Sequence, residues 1–200
     1  MIAGQATRAE LDAVLTGITL APKDNGRIEM LCLRPDYGLR RFVQEIWVTR
    51  TAGIPGERWA VRPWLRLSDG TPHPGIQISI LSRQVLDLVW RNRDTTVHPG
   101  DSFITDMDLS EGNLPAGQLL RAGTSLLEVS DVFNDACVKW AARYGQASRD
   151  WINTPENRPF RLRGILCRVV RDGIIHQGDQ LCKCDGPSML TTVDSPTPQG

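Results

Sequence analysis

Near the N-terminus, hydrophobic residues recur with the period of a helix. Four apolar residues fall on one face at 3.6 residues per turn, namely Leu11, Val14, Leu15 and Ile18. Thr7 precedes them and Glu10 lies three positions later, which is the spacing of a capping box. The pattern predicts an amphipathic helix over about residues 8–20, which ends before Pro22.

Most of the remaining chain consists of short apolar runs separated by glycine-rich turns. Such runs predict the following strands: residues 27–34, 42–49, 76–81, 102–105, 119–121, 124–130, 161–170, 174–175 and 180–184. Ala122-Gly123 and Asp172-Gly173 each predict a hairpin turn, and Ser82 is positioned to cap a helix up to about Arg91. Strands and helices do not alternate as βαβα. The pattern therefore predicts a mainly β (α+β) fold, a barrel or rolled sheet with several short peripheral helices.

Residues 51–76 have no sustained hydrophobic period. Loops of this length in a compact domain are usually functional or disordered. Arg58, Trp59, Trp64 and His73 lie in this segment, and its aromatic content is atypical of disordered chains. We therefore expect a binding loop here.

Cys137 lies where a predicted strand and a polar turn lead into a short helix. Asn134 or Asp135 is placed to cap this helix, and Cys137 then falls in its first turn. Unpaired backbone N–H groups and the helix dipole would favour a thiolate there, the form of cysteine that attacks, carries sulfur or binds metal. The alternative is a structural role, because Cys137, Trp140, Ala141 and Tyr144 have the spacing of one buried helix face.

Basic residues follow Cys137 along the chain. Lys139 and Arg143 are four positions apart on one helix face, and Arg161 and Arg163 lead into a predicted strand. These side chains predict an anion site, since the arginine fork suits phosphate and carboxylate; a solvated basic face is the alternative. On an ideal helix Lys139 points away from Cys137, so the two converge only if the cysteine lies in an irregular turn.

Two histidines and one aspartate are candidates for a base or for a site loop. His73 and His98 lie in loops rich in proline and glycine, and Asp101 follows the Pro99-Gly100 turn. A surface position is the ordinary alternative for the histidines.

Composition excludes several classes of function. The 200 residues include 23 basic and 23 acidic side chains, so the formal net charge is zero, whereas nucleic-acid binders usually carry a basic excess. No apolar run is long enough for a membrane span, and no secretory signal is visible. Five cysteines, an odd number, are typical of reduced thiols. We expect a cytoplasmic protein that binds neither nucleic acid nor membranes.

Several segments, in order, resemble the MOSC domain, which is named for the C-terminal part of molybdenum-cofactor sulfurases. The matching segments are Gly53-Ile-Pro-Gly-Glu-Arg-Trp59, Gln77-Ile-Ser-Ile80, Gly100-Asp-Ser-Phe103, Leu114 to Gly123, Leu127-Glu-Val-Ser130 followed by Cys137, Arg163 to Val170, and Gly178-Asp179. A small stand-alone bacterial branch is also similar in Pro72-His-Pro74, Asp106 to Glu111, Asn113-Leu-Pro115, Ala141 to Gly145, and Asn153-Thr-Pro155. The sequence departs from the branch at Ala136, where glycine is usual, and at Ser102, where asparagine is usual.

The resemblance implies a β-barrel domain, which we place at residues 25–184. The predicted helix makes residues 1–24 a helical extension packed on this domain, and a tail rich in proline, serine and threonine is expected to be disordered at 185–200. The resemblance also implies that Cys137 either carries sulfur as a persulfide or binds the molybdenum of a pterin cofactor. The residues expected to hold such a cofactor are Arg58, Lys139, Arg143, Asn153, Arg161 and Arg163. No pyridoxal phosphate is expected, because the desulfurase part of fused sulfurases is absent.

Three functions follow from these observations. In the first, Cys137 is a reactive thiolate for sulfur carriage or molybdenum-cofactor handling. Its partners would be a cysteine desulfurase or other sulfur donor, and a molybdoenzyme or small-molecule acceptor. The second is a molybdenum-dependent reductase of N-hydroxylated compounds. The third is a non-catalytic ligand-binding module in which Cys137 is structural.

Overall fold

The computed structural model describes residues 4–184, so the predicted tail at 185–200 lies outside the described residues. Its four α-helices are α1 Arg8–Thr19, α2 Arg83–Val89, α3 Val138–Tyr144 and α4 Gln146–Asn153. Two 3-10 helices cover Pro74–Ile76 and Pro155–Phe160. The strands are β1 Gly26–Leu33, β2 Arg41–Val43, β3 Glu45–Val48, β4 Ile78–Ser82, β5 Phe103–Thr105, β6 Leu119–Ala122, β7 Ser125–Val129, β8 Ile165–Arg171, β9 Gly173–His176 and β10 Gln180–Cys184.

Seven strands close into a β-barrel, which confirms the predicted fold class. Around the ring the order is β10-β6-β7-β8-β4-β5-β1, and β1 returns to β10 through Gly26 and Arg27. The other end of β1 pairs with β2 on the same edge. Strands β4 and β5 are parallel, and the other neighbours in the ring are antiparallel. Closure leaves the ring without a free edge.

Alternation of side chains along the strands separates the two largest apolar clusters among residues 4–184. Ile78 and Ile80 of β4 belong to the cluster of the barrel strands, whereas Leu81 packs with the helices. Helix α1 joins this second cluster through Leu11 and Ile18, and its Thr7–Glu10 capping box is formed as predicted. Two layers therefore share the barrel wall, with helices on one side of it.

Two predicted strand assignments were wrong. The run at 42–49 is split at Gln44 into β2 and β3, which belong to different sheets. The predicted hairpin at Asp172-Gly173 also does not form, because β9 leaves β8 and pairs with β3 in a separate two-stranded sheet. Asp172 instead accepts a hydrogen bond from the backbone N–H of Arg50.

Within residues 4–184, none of the helices is long and apolar enough to cross a membrane. The division between an N-terminal extension and a domain beginning at residue 25 stays a prediction. Helix α1 contacts α2 and α4.

Candidate functional site

A cavity of about 340 Å³ opens beside Cys137. Its walls come from the turn between β1 and β2, the loop after β3, helix α3 and the segment before β8. The lining includes Cys137, six cationic side chains and four aromatic rings, namely Arg34, Arg40, Arg58, Lys139, Arg143 and Arg163, and Tyr37, Trp64, Trp140 and Tyr144. Cys137 is exposed to solvent, so its sulfur is reachable.

The backbone before Cys137 is held by α4. The Asn153 side chain accepts a hydrogen bond from the Ala136 N–H at 2.9 Å and donates one to the Ala136 carbonyl at 2.8 Å. Arg149 donates to the same carbonyl at 3.3 Å, and Ala136 itself is buried. Asn153, predicted to bind a cofactor, is thus placed to fix the turn that presents Cys137.

Cys137 is the N-cap residue of α3, with extended backbone angles of φ −84° and ψ 179°. The predicted position in the first turn, capped by Asn134 or Asp135, was wrong. No side chain caps this helix, and Asn134 instead donates to the Arg163 carbonyl at 2.9 Å. Because Cys137 precedes the helix, the helical repeat does not set the direction of its side chain. Cys137 and Lys139 therefore line the same cavity.

The predicted apolar stripe on α3 is only partly buried. Trp140 and Tyr144 are buried, whereas Cys137 is exposed. The Trp140 indole donates to the Ser148 hydroxyl at 2.9 Å, and the Tyr144 hydroxyl donates to the Val97 carbonyl. The stripe anchors α3 and leaves Cys137 on the cavity side, which disagrees with a space-filling role for the cysteine.

Six cationic side chains line the cavity, and they fall into two groups. Arg34 and Arg163 are each paired with a buried carboxylate, Glu57 at 2.7 Å and Asp101 at 2.8 Å. The other four have no acidic partner within 4 Å among residues 4–184: Arg40, Arg58, Lys139 and Arg143. Asp135 is the acidic residue in the lining. The cavity is therefore strongly cationic, although the whole chain is formally neutral.

Burial and neighbouring charges shift the pKa values of two of these arginines in opposite directions. For Arg34, burial disfavours the charged form, but the charge and hydrogen bonds of Glu57 outweigh it and raise the pKa. For Arg40, burial lowers the pKa and the charge of Arg143 adds to the effect. The Arg40 guanidinium is held by the carbonyls of His98 and Pro99, both at 3.0 Å. An anion bound in the cavity would stabilise the charged form of this partly buried side chain.

Three other predicted site residues have separate surroundings. Arg161 lines a neighbouring cavity and donates to the Leu114 carbonyl. His73 caps the first 3-10 helix by accepting from the Gly75 N–H at 3.1 Å. Asp101 lies fully buried behind Arg163 and binds it through both carboxylate oxygens.

His98 is also separate from the cavity lining. It is buried, its Nδ1 accepts from the Gly100 N–H at 3.0 Å, and its ring packs edge-on against Trp90 and Phe42. Burial lowers its pKa to about 4, which the charge of Asp101 partly offsets. The imidazole is thus neutral near pH 7 and supports the cavity through its backbone contact with Arg40.

Sequence reasoning missed three charged or aromatic residues of the cavity, Arg34, Tyr37 and Arg40. All three belong to the turn between β1 and β2. The available signal was the density of arginine in residues 34–41, beside a predicted loop that already contained Arg58. Nothing in the local pattern indicates that this turn faces Cys137.

No family model and no curated protein matches the sequence. Among solved structures, the protein is similar to a hypothetical protein, with a TM-score of 0.53 and 19% identity over 80% of this chain and 68% of the other. It is similar to YiiM from Escherichia coli, with a TM-score of 0.52 and 18% identity over 82% and 73% of the two chains. The protein has the fold of these structures. YuaD from Bacillus subtilis aligns with a TM-score of 0.49 and 17% identity over 78% and 94%.

The fold shared with YiiM agrees with the β-barrel that the sequence resemblance implied. At identities below 25%, this likeness concerns the fold, and the chemistry of the site rests on the residues of this chain.

Proposed function

We propose that the Cys137 cavity binds an anionic cofactor of the molybdenum-pterin type and that Cys137 supplies the reactive sulfur beside it. The observation that carries the proposal is an exposed thiol in the same cavity as four cations that have no carboxylate partner among residues 4–184. A MOSC-like fold supports the same interpretation.

The residues of the cavity fit such a group. Thiolate sulfur is a soft metal ligand, and arginine side chains form forked hydrogen bonds with phosphate. Arg40, Arg58, Lys139 and Arg143 would hold the anionic part, while Cys137 would hold the metal. When bound, the metal would supply redox or sulfur-transfer chemistry. Asn153 and Arg149 would keep the turn before Cys137 in place through Ala136.

Sulfur carriage is the second candidate, and the exposure of Cys137 favours it. In this reaction the Cys137 thiolate attacks the outer sulfur of a persulfide on a donor protein. A new S–S bond forms at Cys137, the donor's S–S bond breaks, and the donor cysteine leaves as a thiolate. The donor would be a cysteine desulfurase, and the sulfur would pass to a molybdoenzyme or a small molecule.

The two alternatives place different demands on the site. A non-catalytic module with a structural Cys137 requires a packed thiol, whereas this thiol is exposed. Reduction of N-hydroxylated compounds requires the metal itself at Cys137, so the molybdenum content of the protein bears directly on it.

The test is metal analysis and intact-mass measurement on the full chain produced in a host that makes the molybdenum cofactor. We expect molybdenum to co-purify with the wild type and to be lost in Cys137→Ser. After incubation with a cysteine desulfurase and cysteine, we expect one added sulfur atom on Cys137. Cys184→Ser is the matched control, because Cys184 lies on β10 and outside the cavity.

The outcomes separate the candidates. Molybdenum in equal amount in wild type and Cys137→Ser would contradict the ligand role. Equal added sulfur in both proteins would contradict sulfur carriage. A wild-type protein that gains neither metal nor sulfur would refute the proposed function.

A further inference from the structure

Tyr37 is the exposed aromatic residue around which two of the cavity's cations gather. The Arg58 guanidinium carbon lies 4.6 Å from the centroid of the Tyr37 ring, and the Lys139 Nζ lies 5.1 Å from it. These are the distances at which a cation is attracted to the face of an aromatic ring.

The three residues come from three separate segments. Tyr37 belongs to the turn between β1 and β2, Arg58 to the loop after β3, and Lys139 to α3, two residues after Cys137. All three line the cavity, and Tyr37 and Lys139 are exposed. They thus lie at its mouth.

The carboxylates nearby do not form ion pairs with either cation. Asp36 pairs with Arg62 at 3.3 Å, and Glu57 pairs with Arg34. Burial lowers the pKa of Arg58, the charge of Arg34 lowers it further, and Tyr37 opposes both effects. Both cations therefore contact one ring at the entrance to a cationic cavity, an arrangement that favours an incoming anion.

We propose that Tyr37, Arg58 and Lys139 form a phosphoryl subsite at the mouth of the Cys137 cavity, and that Tyr37 is the positioning residue that gathers the two cations. The inference rests on the proposed function, because it identifies the part of the cavity that would hold the phosphate of the ligand. It assigns to Tyr37 a role that does not require contact with the ligand.

Positioning by the ring has a measurable consequence. Without the ring, Arg58 and Lys139 lose the contact that orders them, and their side chains must be ordered when an anion binds. Loss of the two exposed cation–π contacts is expected to weaken anion binding by about tenfold. Phenylalanine keeps the ring face, so Tyr37→Phe is expected to bind within about twofold of wild type.

The experiment measures protection of Cys137 against iodoacetamide by inorganic pyrophosphate at constant ionic strength. Protection is quantified by mass spectrometry of the Cys137 peptide in wild type, Tyr37→Leu and Tyr37→Phe. We expect the half-protecting concentration to rise about tenfold in Tyr37→Leu and to be restored in Tyr37→Phe. Because Tyr37 is 55% exposed, the melting temperature should stay unchanged, and calorimetric titration with pyrophosphate provides a second measure of affinity.

Several results would overturn the subsite. The first is that pyrophosphate does not protect Cys137 in the wild type. The second is that protection is unchanged in Tyr37→Leu. The third is that Tyr37→Phe needs as high a half-protecting concentration as Tyr37→Leu. The assay uses pyrophosphate alone, so its failure is distinct from failure of the proposed function, which shows in molybdenum content and sulfur transfer.

Discussion

At the scale of single residues, buried charge is concentrated behind the Cys137 cavity. Asp101 is completely buried and accepts two hydrogen bonds from Arg163 Nη1, at 2.8 and 2.9 Å. The Arg163 side chain is 16% exposed and its guanidinium carbon lies 4.7 Å from the centroid of the Trp140 ring. A buried cation of this kind depends on its counter-charge, because removal of one partner leaves the other charge unpaired. Asp101 therefore fixes Arg163, which lines the cavity.

We predict that Asp101→Asn lowers the free energy of unfolding by about 3 kcal/mol, the cost of leaving Arg163 buried without its counter-charge. Urea titration at pH 7 measures it. The control is Asp12→Asn, which breaks an exposed pair with Arg8 on α1 and should cost less than about 0.5 kcal/mol. Equal losses in the two variants would show that the buried pair contributes no more to the free energy of unfolding than the exposed pair does.

At the scale of elements, a tight segment leads into β8 and brings Arg163 to the cavity. Arg161 and Gly164 both have positive φ angles, 48° and 82°. Gly164 lies against β4, where an added Cβ would be 2.0 Å from the carbonyl oxygen of Ile80. The approach of β8 to β4, and with it the position of Arg163, therefore requires glycine at this position.

We expect Gly164→Ala to be among the most destabilising alanine substitutions in the barrel. It combines left-handed strain of about 1–2 kcal/mol with a clash against backbone that cannot move aside. Gly117→Ala is the matched control, since Gly117 also has positive φ, 86°, but no atom lies within 4 Å of its added Cβ. Thermal unfolding should show a clearly larger fall in melting temperature for Gly164→Ala, and an equal fall would contradict the close-approach argument.

At the scale of the whole molecule, the helical layer and the barrel meet near His98. The imidazole packs against Trp90, which follows α2, and against Phe42 of β2. Its Nε2 has no hydrogen-bond partner in the part of the chain that the structure describes. Protonation of this ring would place a charge in an apolar junction, and the folded state resists it.

This junction predicts a loss of stability in mild acid. The pKa of His98 falls from 6.5 to about 4 on folding, mainly because of burial. Between these values the unfolded chain binds more protons, so the free energy of unfolding decreases as pH falls through this window, by on the order of 3 kcal/mol in total. Urea titrations from pH 7 to pH 4 measure the slope.

In His98→Asn the slope of the free energy of unfolding against pH should decrease by the equivalent of about one proton. NMR titration of the imidazoles gives the His98 pKa directly. A wild-type His98 that titrates near 6.5, or a His98→Asn protein with an unchanged slope, would contradict the prediction.

The sequence by itself determined the elements whose signal is local. The α1 capping box, the Ser82 cap of α2 and the β6–β7 hairpin follow from residues within a few positions of each other, and periodicity predicted a mainly β fold with peripheral helices. It also predicted Cys137 and a cationic group beside it. The sequence did not predict the split at Gln44 or the pairing of β9 with β3, because strand pairing depends on distant partners.

Only the tertiary structure decided what surrounds the sulfur. Arg34, Tyr37 and Arg40 lie about a hundred positions from Cys137 in the sequence, and Asn153 holds the preceding turn from the next helix. The tertiary structure also separates Arg161 and His73 from the cavity and buries His98. The physical reason is that hydrophobic period and capping act within a few residues, whereas barrel closure sets which distant side chains meet.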